Sequence, residues 1–189
     1  MKVIYSGGYQ KDLKTSYKNS WWYRHSGLLD SDAPAAVVTL AKPDGSYDQY
    51  LRKFPKVHVI DRKISTVDWH NYKSIFIAGG PTDTLKEEVI KRDFSMDKLD
   101  PDVAVLGDSA GAYIMCAYFF TDSDGDPGKN VRFYEGFNAN AKNICIAHAD
   151  NPYYTNALLT RRVEEFAAKH DLEVFRLNEN EEKVLEQNT

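Results

Sequence analysis

A serine flanked by small residues, between two apolar segments, constrains the fold of this chain more than any other feature. Residues 107–111 read Gly-Asp-Ser-Ala-Gly; the apolar residues 103–106 precede them and the apolar residues 112–120 follow. This pattern predicts a buried strand, a sharp turn and a helix, which is the setting of a nucleophile elbow. The glycines permit a strained turn and close packing of the helix on the strand. The alternative is an ordinary strand–helix turn in which Ser109 caps the helix.

Apolar segments alternate with helix-like segments along the chain. Strands are predicted at residues 3–5, 36–40, 57–60, 74–78, 103–106 and 143–147, and helices at residues 47–54, 84–92 and 158–169. Two closing strands at residues 172–177 and 183–185 could pair as a hairpin at the sheet edge. Such alternation is typical of a parallel sheet covered by helices on both faces. The predicted fold class is therefore α/β, a three-layer αβα sandwich with a mostly parallel sheet, formed by residues 1–189 as a single domain.

Charge and apolar patterning argue against several function classes. The net charge is −4 at pH 7 and the basic residues are scattered, so neither nucleic acid nor an anionic membrane is expected as a partner. No apolar stretch approaches ~20 residues and the N-terminus lacks a signal-peptide pattern, so we expect a cytoplasmic protein. Cys116 and Cys145 lie in apolar segments without zinc-site spacing, which predicts reduced, buried thiols and no metal. The sequence does not distinguish a monomer from a homodimer.

Three loops at the predicted carboxyl ends of strands carry reactive residues, at residues 79–82, 107–112 and 148–150. In an open parallel sheet these strand ends form the binding crevice. A serine nucleophile needs a base, and His148 directly follows a buried strand downstream of the elbow. The backbone N–H groups of Gly80 and Ala110 are the candidates for binding an oxyanion.

The carboxylate that would orient the histidine is not determined by sequence spacing. The candidates are Asp122, Asp124, Asp126, Glu135 and Asp150. Asp108 is adjacent to the serine, and neighbouring elbow residues point in different directions. We therefore expect Asp108 to act on the substrate pocket instead, together with Thr82 and Asp150 of the neighbouring loops.

Together these residues resemble peptidase family S51, which includes the aspartyl dipeptidases (peptidase E) and the cyanophycinases, within the class I glutamine-amidotransferase-like fold. The resemblance rests on Gly-Gly-Pro-Thr at residues 79–82, Gly-Asp-Ser-Ala-Gly-Ala at residues 107–112 and Ile-Ala-His at residues 146–148. The elbow hexapeptide matches in full. The order of the motifs covers residues 74 to 165, whereas the first 70 residues match only as a generic α/β pattern.

The resemblance implies a Ser–His–acid hydrolase that cleaves small peptides after an acidic residue, without a metal or organic cofactor. Ser109 matches the nucleophile. In peptidase E-like members the acid lies on the loop after the elbow helix, at a spacing that matches Asp124, while other members use a glutamate placed elsewhere. Arg161, on the next helix, resembles the basic residues that hold acidic substrate groups in some members.

Two positions depart from the family pattern. The family loop usually reads Gly-Gly-Gly-Asn-Thr, and Pro81 takes the third position here. Because proline has no N–H, Gly80 would have to supply that oxyanion donor. Around the histidine the family often reads Asn-Pro-His-Phe, and an alternative alignment places Tyr153 there, which would leave no base.

The sequence therefore predicts a serine peptidase of the S51 type that forms an acyl-enzyme on Ser109, with His148 as base and Asp124 as acid. Two alternatives stay open. An α/β-hydrolase-type esterase would have the same elbow and the same order of triad residues. A non-catalytic binding protein that retains the fold would account for Pro81 and for the ambiguous histidine.

Overall fold

A computed structural model describes residues 1–8, 24–29, 32–43, 45, 51, 54–122 and 126–186. The strands are β1 (Lys2–Ser6), β2 (Ala35–Val38), β3 (Val57–Ile60), β4 (Ser74–Ile77), β5 (Ala104–Asp108), β6 (Tyr118–Thr121), β7 (Arg132–Glu135), β8 (Asn143–Ile146), β9 (Glu173–Arg176) and β10 (Glu182–Glu186). The helices are α1 (Ser26–Leu29), α2 (Thr82–Lys91), α3 (Ala110–Ile114) and α4 (Ala157–Lys169), with short 3-10 turns at Trp69–Asn71 and Met96–Lys98.

The central sheet has six strands in the order β10-β1-β5-β4-β2-β3. Every neighbouring pair is parallel except β1 and β10, which are antiparallel. Two smaller sheets accompany it, an antiparallel pair β6-β7 and a parallel pair β8-β9. This is the α/β class with a mostly parallel sheet and a three-layer αβα arrangement, as the alternation of apolar segments predicts.

Side chains of the central strands divide between two apolar cores, one on each face of the sheet. In β1, Val3 and Tyr5 belong to the larger core, whereas Ile4 belongs to the smaller one. The larger core contains Leu85 from α2, Ile114 from α3 and Leu159 and Val163 from α4; the smaller contains Leu29 from α1. Successive residues of a strand point to opposite faces, so strands buried on both faces appear as continuous apolar runs.

The apolar segment after the elbow is not a single helix. Helix α3 ends at Ile114, and the chain then forms strand β6, which pairs with β7. Tyr118, Phe119 and Phe120 are aromatic, and aromatic residues favour the pleated, half-buried surface of a strand. Their pairing partners lie in β7, a strand that the sequence analysis did not predict. Without that partner strand, the apolar run after the elbow indicated a helix.

The closing strands do not form a hairpin. Strand β9 pairs in parallel with β8, and β10 crosses to the central sheet, where it pairs with β1. The turn between them, closed by a hydrogen bond from Glu181 N–H to Asn178 O at 3.0 Å, redirects the chain from one sheet to the other. The predicted helix at residues 47–54 falls outside the described residues, apart from Leu51 and Phe54.

Two predictions about cysteines and membranes can be compared with the described part of the chain. Cys116 and Cys145 are both free and buried, and burial raises the pKa of the Cys116 thiol. Within the described ranges, no helix combines the length and the apolar character that crossing a bilayer requires.

Candidate active site

The elbow lies at the carboxyl end of β5, in the middle of the central sheet. Ser109 has φ 53° and ψ −113°, in the positive-φ region that L-residues seldom occupy. Gly111 is required because a Cβ there would lie 2.1 Å from Ile77 O in the neighbouring strand β4. A backbone hydrogen bond from Ser109 N–H to Ser6 O, at 3.1 Å, holds the turn against β1. The strained serine therefore stands where the carboxyl ends of the parallel strands meet, at the start of helix α3.

His148 meets this serine from a different part of the chain. It follows strand β8 in a positive-φ conformation, with φ 52°, and its N–H donates to Gly7 O at 2.8 Å. Its Nε2 lies 3.0 Å from Ser109 Oγ. Tyr153, the residue of the alternative alignment, is 63% exposed and packs edge-on against Tyr154. The histidine, and not Tyr153, is the neighbour of the serine.

A residue that the sequence analysis did not consider, Glu179, completes the hydrogen-bonded chain. His148 Nδ1 lies 2.8 Å from Glu179 Oε1, and the glutamate side chain is only 5% exposed. A carboxylate can only accept, so Nδ1 carries the proton and Nε2 is left to accept from the serine hydroxyl. Asn151 Nδ2 also donates to Glu179 Oε1, at 2.8 Å. The ring of His148 is thus held at both nitrogens.

Two of the carboxylates weighed from the sequence, Asp150 and Glu135, lie elsewhere than beside the imidazole of His148. Asp124 lies outside the described residues. Asp150 accepts the backbone N–H of Glu179 at 2.9 Å, so it holds the loop that carries the glutamate. Glu135 is exposed at the end of β7. The sequence signal that could have found Glu179 is its place in the loop that follows β9, since β9 is parallel to β8, the strand that ends before His148.

The glycine loop after β4 lies against the serine, as expected for a neighbouring strand. A Cβ on Gly79 would fall 2.9 Å from Ser109 Cβ, and Gly80 has φ 143°, where only glycine is unstrained. Pro81 then starts α2, whose first turn has no side-chain cap. Helix α3 begins directly after the serine, and the first residues of α2 line the same cavity. Free N–H groups at helix starts carry partial positive charge.

A cavity of about 230 Å³ opens onto the serine. Its lining residues are Gly80, Pro81, Thr82, Asp83, Ser109, Tyr113, Phe120, Thr121, Asp122, His148 and Tyr154. Tyr113 is buried, which raises the pKa of its phenol and keeps it neutral. Of the predicted substrate-binding residues, Thr82 lines this cavity. Among the described residues, no cluster of histidine, cysteine and carboxylate side chains is arranged to hold a metal ion.

Three other residues predicted to bind substrate lie away from the cavity lining: Asp108, Asp150 and Arg161. Arg161 is on α4 with a side chain that is 68% exposed, 3.8 Å from Glu165. Asp108 is 8% exposed, and Ser6 Oγ donates to its Oδ1 at 2.9 Å. Burial raises the pKa of Asp108 to about 6, although the Ser6 hydroxyl and the charge of His148 act in the opposite direction.

Comparison with protein-family models finds no match, and comparison with curated proteins finds none either. Among solved structures, the chain is similar to one described as the crystal structure of a peptidase from an acI-B1 Actinobacterium, with 13% sequence identity and a TM-score of 0.46. The match covers 97% of this chain and 82% of that chain. A likeness of this degree carries no argument about activity.

Proposed function

We propose that this protein is a serine hydrolase of the peptidase E type, which cleaves small peptides through an acyl-enzyme on Ser109. One observation carries the proposal: Ser109 Oγ, both nitrogens of His148 and the buried Glu179 carboxylate form one hydrogen-bonded chain with distances of 3.0 and 2.8 Å. Nucleophile, base and orienting acid at hydrogen-bonding distance are the arrangement that activates a serine. Glu179 takes the role for which the resemblance suggested Asp124.

The reaction follows from the direction of these hydrogen bonds. Ser109 Oγ attacks the carbonyl carbon of the substrate while its proton passes to His148 Nε2, and Glu179 stabilises the imidazolium that forms. The N–H groups of Ala110 and Gly80 donate hydrogen bonds to the carbonyl oxygen as negative charge develops on it. His148 then gives the proton to the leaving amine, and the carbon–nitrogen bond breaks. Water, deprotonated by His148, attacks the carbonyl carbon of the acyl-enzyme, and His148 returns that proton to Ser109 Oγ as the ester bond breaks and the acid product leaves.

The departure at Pro81 is compatible with this chemistry. Proline removes one N–H from the loop, but Gly80 precedes it with a backbone that only glycine adopts without strain, and the loop touches Ser109 through Gly79. The loss of one oxyanion donor costs on the order of 100- to 1000-fold in rate, so an enzyme that relied on Ala110 alone would be slow. We therefore assign the second donor to Gly80.

The substrate is proposed to be a small peptide because the cavity beside Ser109 measures about 230 Å³. Aspartyl peptides are the first to be tested, on the strength of the sequence resemblance. Arg161 does not line the cavity, so an acidic side chain would have to be recognised by other groups.

A fluorophosphonate probe tests the proposal, because it phosphonylates activated serines. We expect one adduct on the folded protein by intact mass spectrometry, on the peptide that contains Ser109, and none on Ser109→Ala. The exposed Ser65 offers a matched control, since Ser65→Ala removes a serine far from the elbow in sequence and should label normally. Labelling of heat-unfolded protein should fail. An unlabelled folded wild type would refute the hydrolase and favour the binding-protein alternative.

A substrate panel then separates the two hydrolase classes. Dipeptides of the form Asp-X, matched dipeptides with a neutral first residue, and short p-nitrophenyl esters are compared by kcat/KM. Preference for the Asp-X series supports the peptidase E type. Efficient hydrolysis of esters, with no peptide cleaved, would favour an esterase.

A further inference from the structure

Within the part of the chain that the structure describes, the imidazole of His148 lies against Gly8 and Tyr154 as well as its hydrogen-bond partners. We propose that these two are positioning residues, which hold the ring in the one orientation that reaches both Ser109 and Glu179. Gly8 lies against the imidazole at Cε1, and the ring of Tyr154 packs against one face of the imidazole. The proposal rests on the function proposed above, because it assigns the ring the role of a base.

Gly8 lies so close to the imidazole that no side chain fits. A Cβ at this position would fall 2.1 Å from His148 Cε1, 2.4 Å from Nε2 and 2.8 Å from Nδ1. Gly8 also has φ 95°, a conformation that glycine adopts without strain. The backbone of Gly8 therefore lies against the imidazole near Cε1, and it leaves no room for a side chain or for a displaced ring there.

The end of β1 and the two glycines that follow it accept backbone hydrogen bonds from Ser109, from His148 and from the residue next to Glu179. Ser6 O accepts from Ser109 N–H at 3.1 Å, and Gly7 O accepts from His148 N–H at 2.8 Å. Gly8 O accepts from Asn180 N–H, next to Glu179, at 2.7 Å. Three consecutive carbonyl groups thus set the relative positions of the nucleophile, the base and the acid.

Tyr154 contacts the histidine through its ring. The two ring centroids are 4.4 Å apart with an interplanar angle of 31°, which places one face of the imidazole over the phenol. The backbone N–H of Tyr154 donates to Asn151 O at 3.0 Å, and Asn151 in turn holds Glu179. The π face of an aromatic ring attracts a cation, so the contact strengthens as the imidazole becomes an imidazolium.

Orientation matters here because both hydrogen bonds need the same ring plane. A rotation that keeps Nδ1 on Glu179 loses Ser109, and the reverse also holds, since the two partners lie at opposite nitrogens. Misplacement of a catalytic group by about 1 Å can cost on the order of 100-fold in rate. Residues that stop rotation therefore act on the rate of the chemical step, without any contact to the proton that moves.

The test compares four variants, using a small fluorophosphonate whose binding needs little of the cavity. The rate constant of inactivation and the affinity for the probe are measured separately. Gly8→Ala should lower the inactivation rate by about 100-fold or more. Tyr154→Leu should lower it by about two- to fivefold, the range of a cation–π contact at a partly exposed site. Tyr154→Phe keeps the ring and should react at the wild-type rate. Tyr153→Leu, at the more exposed neighbouring tyrosine that packs edge-on against Tyr154, controls for a general loss of packing and should lower the rate less than Tyr154→Leu does.

A second readout does not depend on activity. In proton NMR, ring current from Tyr154 should move the Cε1–H resonance of His148 upfield. The shift should disappear in Tyr154→Leu, persist in Tyr154→Phe and be unchanged in Tyr153→Leu. Because this signal needs no reaction, it tests the contact even if Ser109 proves unreactive, in which case only the proposed function fails.

Several results would overturn the positioning roles. A Tyr154→Leu variant that changes only the affinity for the probe would make Tyr154 a substrate contact. A Tyr154→Leu variant with the wild-type rate and an unmoved Cε1–H resonance would remove its role altogether. If Gly8→Ala is folded and reacts normally, the ring does not depend on Gly8. If Gly8→Ala fails to fold, the two Tyr154 variants decide.

Discussion

Asp108, the buried carboxyl beside the nucleophile, should make the protein less stable at neutral pH than an uncharged residue would. Its side chain is 8% exposed, and burial is the main reason that its pKa rises from 3.8 to about 6. The folded protein therefore holds this proton more tightly than the unfolded chain. By linkage, the free energy of unfolding falls as the pH rises from about 4 to about 6, and the loss is complete above that window.

The magnitude follows from the size of the shift. At about 1.4 kcal/mol for each pKa unit, a rise from 3.8 to about 6 corresponds to about 3 kcal/mol of lost stability at pH values above the window. Asp108→Asn removes the ionisation and keeps an oxygen that can accept from the Ser6 hydroxyl. The variant should therefore gain up to about 3 kcal/mol over wild type between about pH 3.5 and about pH 8. Imperfect pairing of the new amide would offset the gain by an amount that does not vary with pH.

Urea unfolding, followed by tryptophan fluorescence across this pH range, measures the difference directly. Asp102→Asn is the matched control, since its side chain is 66% exposed and should show no comparable gain that grows with pH. In thermal unfolding each kcal/mol corresponds to roughly 2–4 °C for a protein of this size. A stability difference for Asp108→Asn that stays constant between the acidic and the neutral ends would refute the raised pKa.

Two further predictions concern the candidate acid and the longest helix. Glu179→Gln should lower kcat by roughly 10³- to 10⁴-fold with little change in KM, because a neutral amide no longer stabilises the imidazolium. Steady-state kinetics on the substrate that the panel identifies will measure this change. A near-normal kcat would exclude Glu179 as the acid. Asn156→Ala should destabilise the fold by about 0.5–2 kcal/mol, because Asn156 Oδ1 caps α4 by accepting from Leu159 N–H at 2.9 Å. Urea unfolding checks the second value, and unchanged stability would show that water replaces the cap.

Much of the fold could be predicted because its signals are local. A buried parallel strand is a short apolar run, and α4 has apolar residues at helical spacing, so both are visible within a few residues of sequence. Strand β7 was missed because its four residues, Arg132–Glu135, carry charges at both ends and little apolar pattern. Residues 112–120 were misassigned because a continuous apolar run fits a buried helix and a buried strand equally well.

The sequence by itself determined the elbow and the histidine that follows a strand. Both signals lie within short segments, and the rule that strands of a parallel sheet end at one edge then brings the segments together. Only the tertiary structure decided which carboxylate reaches His148. Glu179 is 31 residues away in sequence, and it arrives there because β9 runs parallel to β8 while β10 crosses to β1. Strand pairing over such distances depends on which surfaces pack together, and the residues of one segment do not carry that information.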